Sequence, residues 1–560
     1  MSTCASQYAQ FILQKHFGPT AVSATRLMCT KGPVMLLEIL RDSPSLCALH
    51  ITRCLRSLIR HMTVVVRKTT GIKYDLNYPY LFCIPRFPFF SQLVLHFYGE
   101  VAEQVMTCLF LMGQATVSDL LGRCMSRNTT RTNVAERHKF ADSLGSTFDT
   151  LMKTDVLQIV TPEADKVSTN SETDGASSAA HARPVCEWPL SKDDVCEILH
   201  KLATSGCFSS QAEDEEPPRK RIRDVSEPPA AWKFTVAPNV LTLEAMWRDR
   251  LIFRLAEERL GEICGDILSR LLCIAAAARR STEITSHESG AVSRSELMRS
   301  LRDPIEHFDS YLSLLTEDEN QLVLLQMEFL VQEPGLGGHM YTCPYKRVVR
   351  QLLIKHAERV VQVLFQNGGL RIFRLLLSSG PLNHEEIERR VLLPQKDFRR
   401  ALPKMVAGGF VSTTELSRSK EYTSETILCL YSISLPRIAN ILIELAQHTA
   451  LRVSLRTEHE FGQKKRLIEQ RYRVENLIEK HQLKLSQLTA QLSDTNEDES
   501  AVNLVSQQKE SLEALASSIT PSEQQQLDSL TSKLAKLIIC EQEAHTTWFI
   551  GDLFLRLHSS

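Results

Sequence analysis

The chain has 560 residues, 43% of them hydrophobic and 23% charged, which is the balance of a globular protein and too apolar for a wholly disordered one. At about 100–200 residues per domain, that length holds roughly three to five domains. The 65 Lys and Arg against 66 Asp and Glu leave a net charge of −1, which excludes a uniformly basic nucleic-acid coat and a uniformly acidic tail, so any nucleic-acid contact must come from local patches.

No apolar run approaches the about 18 residues of a membrane span. Residues 1–30 lack the charged start and apolar core of a secretory leader, so a soluble intracellular protein is expected. The 15 Cys include no pair three positions apart, hence no CxxC half-site, and buried reduced thiols are expected.

In chain order, residues 33–40 read as a short apolar helix. Asp42 and Ser43 offer a cap for a second helix over 45–61, with apolar Leu46, Leu49, Leu55, Leu58 and Ile59. A β-branched run at 63–66, a turn at 68–71 and a run at 72–76 complete a hairpin. A rougher copy follows, with helices at 117–125 and 134–152 and a strand at 156–160. Residues 161–231 bury little and carry acidic, proline and basic runs, so they read as a disordered linker, with a short helix at 188–202.

The grammar returns in helices at 293–301 and 304–315, a glycine tip at 335–338 and a strand at 340–345. The clearest copy has a helix at 370–377, Asn383 capping 384–391, and a third helix that starts at Pro394 and stops at Gly408 and Gly409, with strands at 410–413 and 427–433. Pro403 should kink or shorten that third helix. Helices followed by a β-hairpin make the winged-helix arrangement, a helix-turn-helix variant.

The last region carries a seam of alternating four and three steps through Leu467, Arg471, Val474, Ile478, His481, Leu485, Leu488 and Leu492, with polar interruptions at Arg471 and His481, and a later one through Leu527, Leu530 and Leu534. Thr520-Pro521-Ser522-Glu523 is a capping box with Pro at the first helical position. An antiparallel helical hairpin folded near 493–500 is expected, and these leucines except Leu492, with Val474 and Ile478, are candidates for gripping partner helices. The fold class is therefore mainly α with small β-hairpins: about four tandem extended winged-helix domains and a C-terminal helical hairpin or coiled coil. The divisions fall at 1–78, 79–160, the linker 161–231, 232–350, 351–437 and 438–560.

Chemistry has no foothold in the motifs. There is no GxxxxGK[ST] loop, no HExxH and no GxSxG, so neither catalysis nor a metal or other cofactor is expected. Between His50 and Asp75, Arg53, Arg56, Arg60, Arg67, Lys68 and Lys73 face a single acid, a local net charge of +5. Arg53, Arg56 and Arg60 step by three and four along one helix face, and Arg67 and Lys68 sit at the wing. A basic recognition helix with a basic wing can neutralise phosphates, so these six are DNA-contact candidates; a solvated face, or one docking an acidic protein, is the plainer alternative. Arg219, Lys220, Arg221 and Arg223 in the linker suit a nuclear-import signal.

Several segments, in order, resemble the winged-helix subunit of RNA polymerase III: QYAQFILQKHFG at 7–18, NYPY at 77–80, WRDRLIFRLAEERLGEICGDILSRLL at 247–272, YLSLL at 311–315, GGHMY at 337–341, RIFRLLL at 371–377 and ITPSEQQQLDSL at 519–530. The resemblance implies a nuclear, non-catalytic member of a heterotrimer with two smaller subunits. It implies a place by the polymerase clamp over the DNA cleft, help in opening promoter DNA, and contact with TFIIIB; the family is also linked to sensing AT-rich DNA in the cytosol. The competing reading is a scaffold of the proteasome-lid or translation-initiation type, in which a helical solenoid ends in one winged helix.

Overall fold

The computed structural model describes residues 3–43, 46–68, 71–127, 134–160, 199, 234–278, 286–301, 305–316, 329–335, 338–417, 427–494 and 520–559. They form two units, Met1–Ile441 with Ile550–Ser560, and Leu442–Phe549. The first unit contains four three-stranded antiparallel sheets of one topology, in which a two-residue strand pairs with the last strand and the last strand pairs with the middle one.

The first sheet uses β1 (Val34–Met35), β2 (Val64–Lys68) and β3 (Ile72–Leu76); the second uses β4 (Ala115–Thr116), β5 (Leu157–Val160) and β6 (Thr235–Pro238). The third uses β7 (Val292–Ser293), β8 (Val331–Gly335) and β9 (Gly338–Thr342), and the fourth β10 (Leu382–Asn383), β11 (Ser412–Ser417) and β12 (Ile427–Ser432).

One short motif builds all four entries. A glycine (Gly32, Gly113, Gly290, Gly380) stands two residues before a buried apolar residue (Val34, Ala115, Val292, Leu382), which is followed by a cap position, two free positions, an acid and a buried aliphatic residue. Asn383 Oδ1 accepts from the Glu386 amide at 2.8 Å, and Ser293 and Thr116 accept likewise from Glu296 and Asp119 at 3.3 Å. Met35 has no oxygen to offer, so only the return bond forms, from its amide to Glu38 Oε2 at 3.2 Å. Each side-chain cap contributes about 1 kcal/mol, while Ile39, Leu120, Leu297 and Ile387 bury the far side of the turn. The acid thus serves the helix start, and the aliphatic residue after it serves the core.

The helices α1 (Thr3–Phe17) and α2 (Pro19–Lys31) precede the first sheet. After β1 come α3 (Leu36–Asp42) and α4 (Ala48–Arg60). Asp42 ends α3 and does not cap the next helix, because α4 starts three residues later than the cap reading places it, behind Cys47. The second module has α5 (Tyr78–Cys83), α6 (Phe87–Tyr98), α7 (Glu100–Met112), α8 (Val117–Arg127) and α9 (Val134–Lys153); the third has α10 (Val240–Leu260), α11 (Glu262–Ala278), α12 (Arg294–Ser300) and α13 (Phe308–Thr316). The fourth has α14 (Tyr345–Ser379), α15 (His384–Val391) and α16 (Gln395–Ala407).

Helices α4, α9 and α16 end alike. The amides of Thr63, Val156 and Phe410 reach back to the carbonyls of Leu58, Leu151 and Met405 at 3.0–3.1 Å, around left-handed Met62, Asp155 and Gly409.

Two boundaries differ from the expectation. Residues 235–238 are not the start of a third module: Ile159 pairs with Val236 and Ala115 with the same residue, so the stretch read as a linker is an insertion in the wing of the second sheet. Within it Leu199 is helical and fully buried. Composition hid this because β6 is only four residues long. Nor does Pro403 shorten α16, which runs through it to Ala407; the ring lies on the exposed face, where loss of one backbone bond is tolerated.

In the second unit, α17 (Leu435–Asp494) runs against α18 (Pro521–Ser559). Ser454 Oγ donates to Glu541 at 2.8 Å, Lys533 Nζ lies 3.9 Å from Glu460, and Lys464 Nζ donates to Gln526 at 2.7 Å. One register falls as the other rises, so the helices are antiparallel. The capping box starts α18 as expected, with the Thr520 amide on Glu523 at 3.0 Å and the Glu523 amide on Thr520 Oγ1 at 3.3 Å. Of the fold-back expected near 493–500, residues 493 and 494 are still helical and 495–500 lie outside the described residues.

Candidate nucleic-acid interface

Helix α4 is amphipathic because Ile51, Leu55 and Leu58 recur at four and three and are buried, which turns Arg53, Arg56 and Arg60 to the exposed side. The left-handed turn at Met62 then feeds β2, and the hairpin brings Arg67 and Lys73 opposite each other in register. The six cations are therefore gathered on one module, but they are not equivalent.

Arg67 Nη2 lies 2.8 Å from Asp75 Oδ2 across the hairpin, and Asp75 is only 15% exposed, so this ion pair removes most of one positive charge from the wing. Arg60 Nε donates to the Gln114 carbonyl at 3.0 Å, while the Gln114 amide donates to the Arg60 carbonyl at 2.8 Å. Arg60 thus ties the end of α4 to the start of the second sheet. Lys73 is half-buried, and the Lys68 side chain lies outside the described residues. His61, packed edge-on against Phe17 at 5.3 Å, is held below its ordinary value by burial and by Arg60, so it adds no charge at neutral pH. Arg53 and Arg56 are exposed on the helix, and the local +5 overstates what a phosphate would meet.

The import candidates Arg219, Lys220, Arg221 and Arg223 lie outside the described residues. The partner-helix candidates turn out otherwise than expected. Val474, Leu527 and Leu530 are buried within the second unit, and Leu467, Ile478 and Leu534 are half-buried. The seam closes on this chain's own hairpin, because its two helices supply each other's apolar faces. Leu485 and Leu488 are helical, and their side chains lie outside the described residues.

Two polar clusters were not anticipated. Glu244 on α10, 4% exposed, accepts from Arg556 Nη1 at 3.3 Å and lies 3.7 Å from Arg86 Nη1 and 3.8 Å from Cys83 Sγ. Burial pushes the Cys83 thiol up to about 12. This cluster ties the second module, the third module and the last turns of α18, all within the first unit. No local sequence signal marks Glu244, because its partners are far along the chain. The second cluster is a thiol pair: Cys124 hydrogen-bonds to Cys108, and with Arg127 Nη1 3.8 Å away this lowers the Cys108 thiol below its ordinary range and raises Cys124. Among the described residues, no group of three or more His, Cys, Asp or Glu is gathered to hold a metal ion, and no helix is long and apolar enough to cross a membrane.

Residues 357–433 match the family model described as POLR3C, C-terminal winged-helix domain. Over nearly its full length the chain is similar to curated relatives named DNA-directed RNA polymerase III subunit RPC3. It is 23% identical over 572 residues to that of Bos taurus and 23% over 575 to that of Homo sapiens, each covering 99% of both chains. It is 24% identical over 569 residues to that of Danio rerio, covering 97% of both. With a matched winged-helix domain and three further sheets of the same strand order, the chain is similar from end to end to the RPC3 subunits of RNA polymerase III.

Proposed function

We propose that the chain is a non-catalytic subunit of nuclear RNA polymerase III that acts with two smaller subunits at initiation, supports promoter opening, and touches promoter DNA and TFIIIB. The observation that carries this is the similarity to RPC3 subunits along 97–99% of the chain. All four sheets, read as winged-helix modules, are non-enzymatic supports. Arg53 and Arg56, helped by Lys68 and Lys73, supply phosphate contacts beside melted DNA. Unstacking costs about 1.4 kcal/mol per step, and fixed cations along the displaced strand offset part of it in a salt-dependent way. The hairpin's outward apolar residues, Tyr472, Leu477, Ile538 and Ile539, serve partner subunits, and the cluster Arg219 to Arg223 serves import.

The solenoid reading has little support, since sheets occur from Val34 to Ser432 and not only at the end. The test is transcription by polymerase from cells depleted of this chain. Such an enzyme should copy a template carrying a premelted bubble yet fail on the closed duplex, and adding the chain back should restore the duplex reaction. Equal activity on both templates without the chain would refute the opening role.

A further inference from the structure

We infer that the outward face of α16 is a second phosphate-binding surface, built to lie along the backbone of duplex DNA. Phe398, Leu402 and Met405 are buried at four and three, so they fix which side of α16 faces the core. Lys396, Arg399 and Arg400 fall on the opposite side around the exposed Pro403, and Lys404 flanks them; all four are exposed. Arg390, in the last turn of α15, is exposed beside the connection to α16.

Charge pairing separates this face from the first module's. Among the described residues, none of these five cations is held in an ion pair or side-chain hydrogen bond, whereas Arg67 is paired with Asp75, Arg60 is tied to Gln114, and Arg389 on α15 is 3.4 Å from Glu385. Asp397 is the one acid on α16. The outward side of α16 therefore carries four exposed cations against this one acid.

The shape suits a nucleic acid better than an acidic protein. Helix α16 follows α15 at the place where a helix-turn-helix presents its recognition helix. Lys396, Arg400 and Lys404 advance by about 6 Å per step, and duplex DNA offers one charge per about 1.7 Å of axis. A protein interface wants aromatic or large apolar anchors at its centre; on the outward face of α16 there is only the proline, and Leu392 lies at its margin.

The inference rests on the proposed function for its setting beside promoter DNA, and the experiment separates the two. The full chain is titrated against a fluorescein-labelled DNA duplex by anisotropy at several salt concentrations. It is compared with Lys396→Glu/Arg399→Glu/Arg400→Glu, with the neutral triple variant to Gln, and with Arg53→Glu/Arg56→Glu. The Glu triple should weaken binding at least ~10-fold at low salt, and the slope of log affinity against log salt should shrink by about 2–3 units, at ~0.9 per lost phosphate contact. Should the Glu triple fail to fold, the Gln triple carries the same reading, with a smaller loss of affinity and the same change in slope. An unchanged slope in a folded triple variant overturns the inference. Loss of binding only in the Arg53/Arg56 variant overturns it while leaving the first-module contact standing; loss only in the α16 variants does the reverse. Displacement of the duplex by poly-glutamate of equal charge concentration also overturns it, because the face would then take an acidic protein.

Discussion

Gly113 is where the coupling of the first two modules is most exposed to test. It sits at φ +75°, and a Cβ built there would lie 2.5 Å from the Arg60 carbonyl oxygen and 3.0 Å from the His61 Cα. Gly32 occupies the same place in the first module at φ +84°, with nothing within 4 Å. Alanine at either site is strained by about 1–3 kcal/mol, because φ is positive at both. At Gly113 it must also push Arg60 away, which breaks the 2.8 Å bond from the Gln114 amide and strains the 3.0 Å bond from Arg60 Nε. Each such bond contributes about 1 kcal/mol net, so Gly113→Ala should cost about 2–5 kcal/mol and exceed Gly32→Ala by about 1–2.

Because a chain of several modules does not unfold in one step, the readout is native-state hydrogen exchange at the Gln114 amide. Protection there should fall more than ~10-fold in Gly113→Ala and stay unchanged in Gly32→Ala. Equal effects at Gln114 from both substitutions, or none from Gly113→Ala, would refute the view that Arg60 serves as an inter-module tie.

Other consequences follow from the same geometry. Asp75→Asn should release Arg67 to a phosphate, tightening duplex binding and steepening its salt slope by about 0.9; a slope like the parent's would contradict the pairing. Glu244→Ala leaves the buried Arg86 and the half-buried Arg556 without this carboxylate and should cost about 3–5 kcal/mol in urea unfolding of the first unit, with a loss below about 1 kcal/mol counting against the buried tie. Leu530→Ala, at a buried seam position, should cost about 2–5 kcal/mol and speed proteolysis within 442–549 while sparing the first unit.

Buried His356 titrates at about 4 and not 6.5, because burial first, and then Arg359 and Lys355, disfavour its charged form. The unfolded chain takes up this proton as pH falls through 6.5, whereas the folded chain does so only near 4. Its stability contribution is thus full above the unfolded value and lost through that window, by on the order of 3 kcal/mol. His356→Gln should flatten the stability slope there, and an unchanged slope would refute the assignment.

Much of the fold was legible because local rules carry it. The Asn383 cap, the stop at Gly409 and the box at Thr520 are short-range chemistry, and all appear where the residues place them. The glycine–apolar–cap–acid–aliphatic motif was equally legible and marks all four sheets, but its two-residue strands are too short for alternation to reveal. Strand β6 was out of reach, since its partners lie across the insertion at 161–234 and nothing in four residues names them. The arginine face of α4 followed from its spacing, yet the pairings that qualify it, Arg67 with Asp75 and Arg60 with Gln114, depend on cross-strand and inter-module geometry. The partner seam misled for a related reason: an apolar stripe states that something covers it, and here the cover is the chain's own second helix.

The proposed function stands on this chain being a subunit of RNA polymerase III. Its most direct test is mass spectrometry of what co-purifies with the tagged full chain from its own cells. The account predicts the two large catalytic subunits of RNA polymerase III with two smaller subunits in equal amounts. Recovery of proteasome-lid or translation-initiation subunits, with polymerase subunits at background, would contradict it.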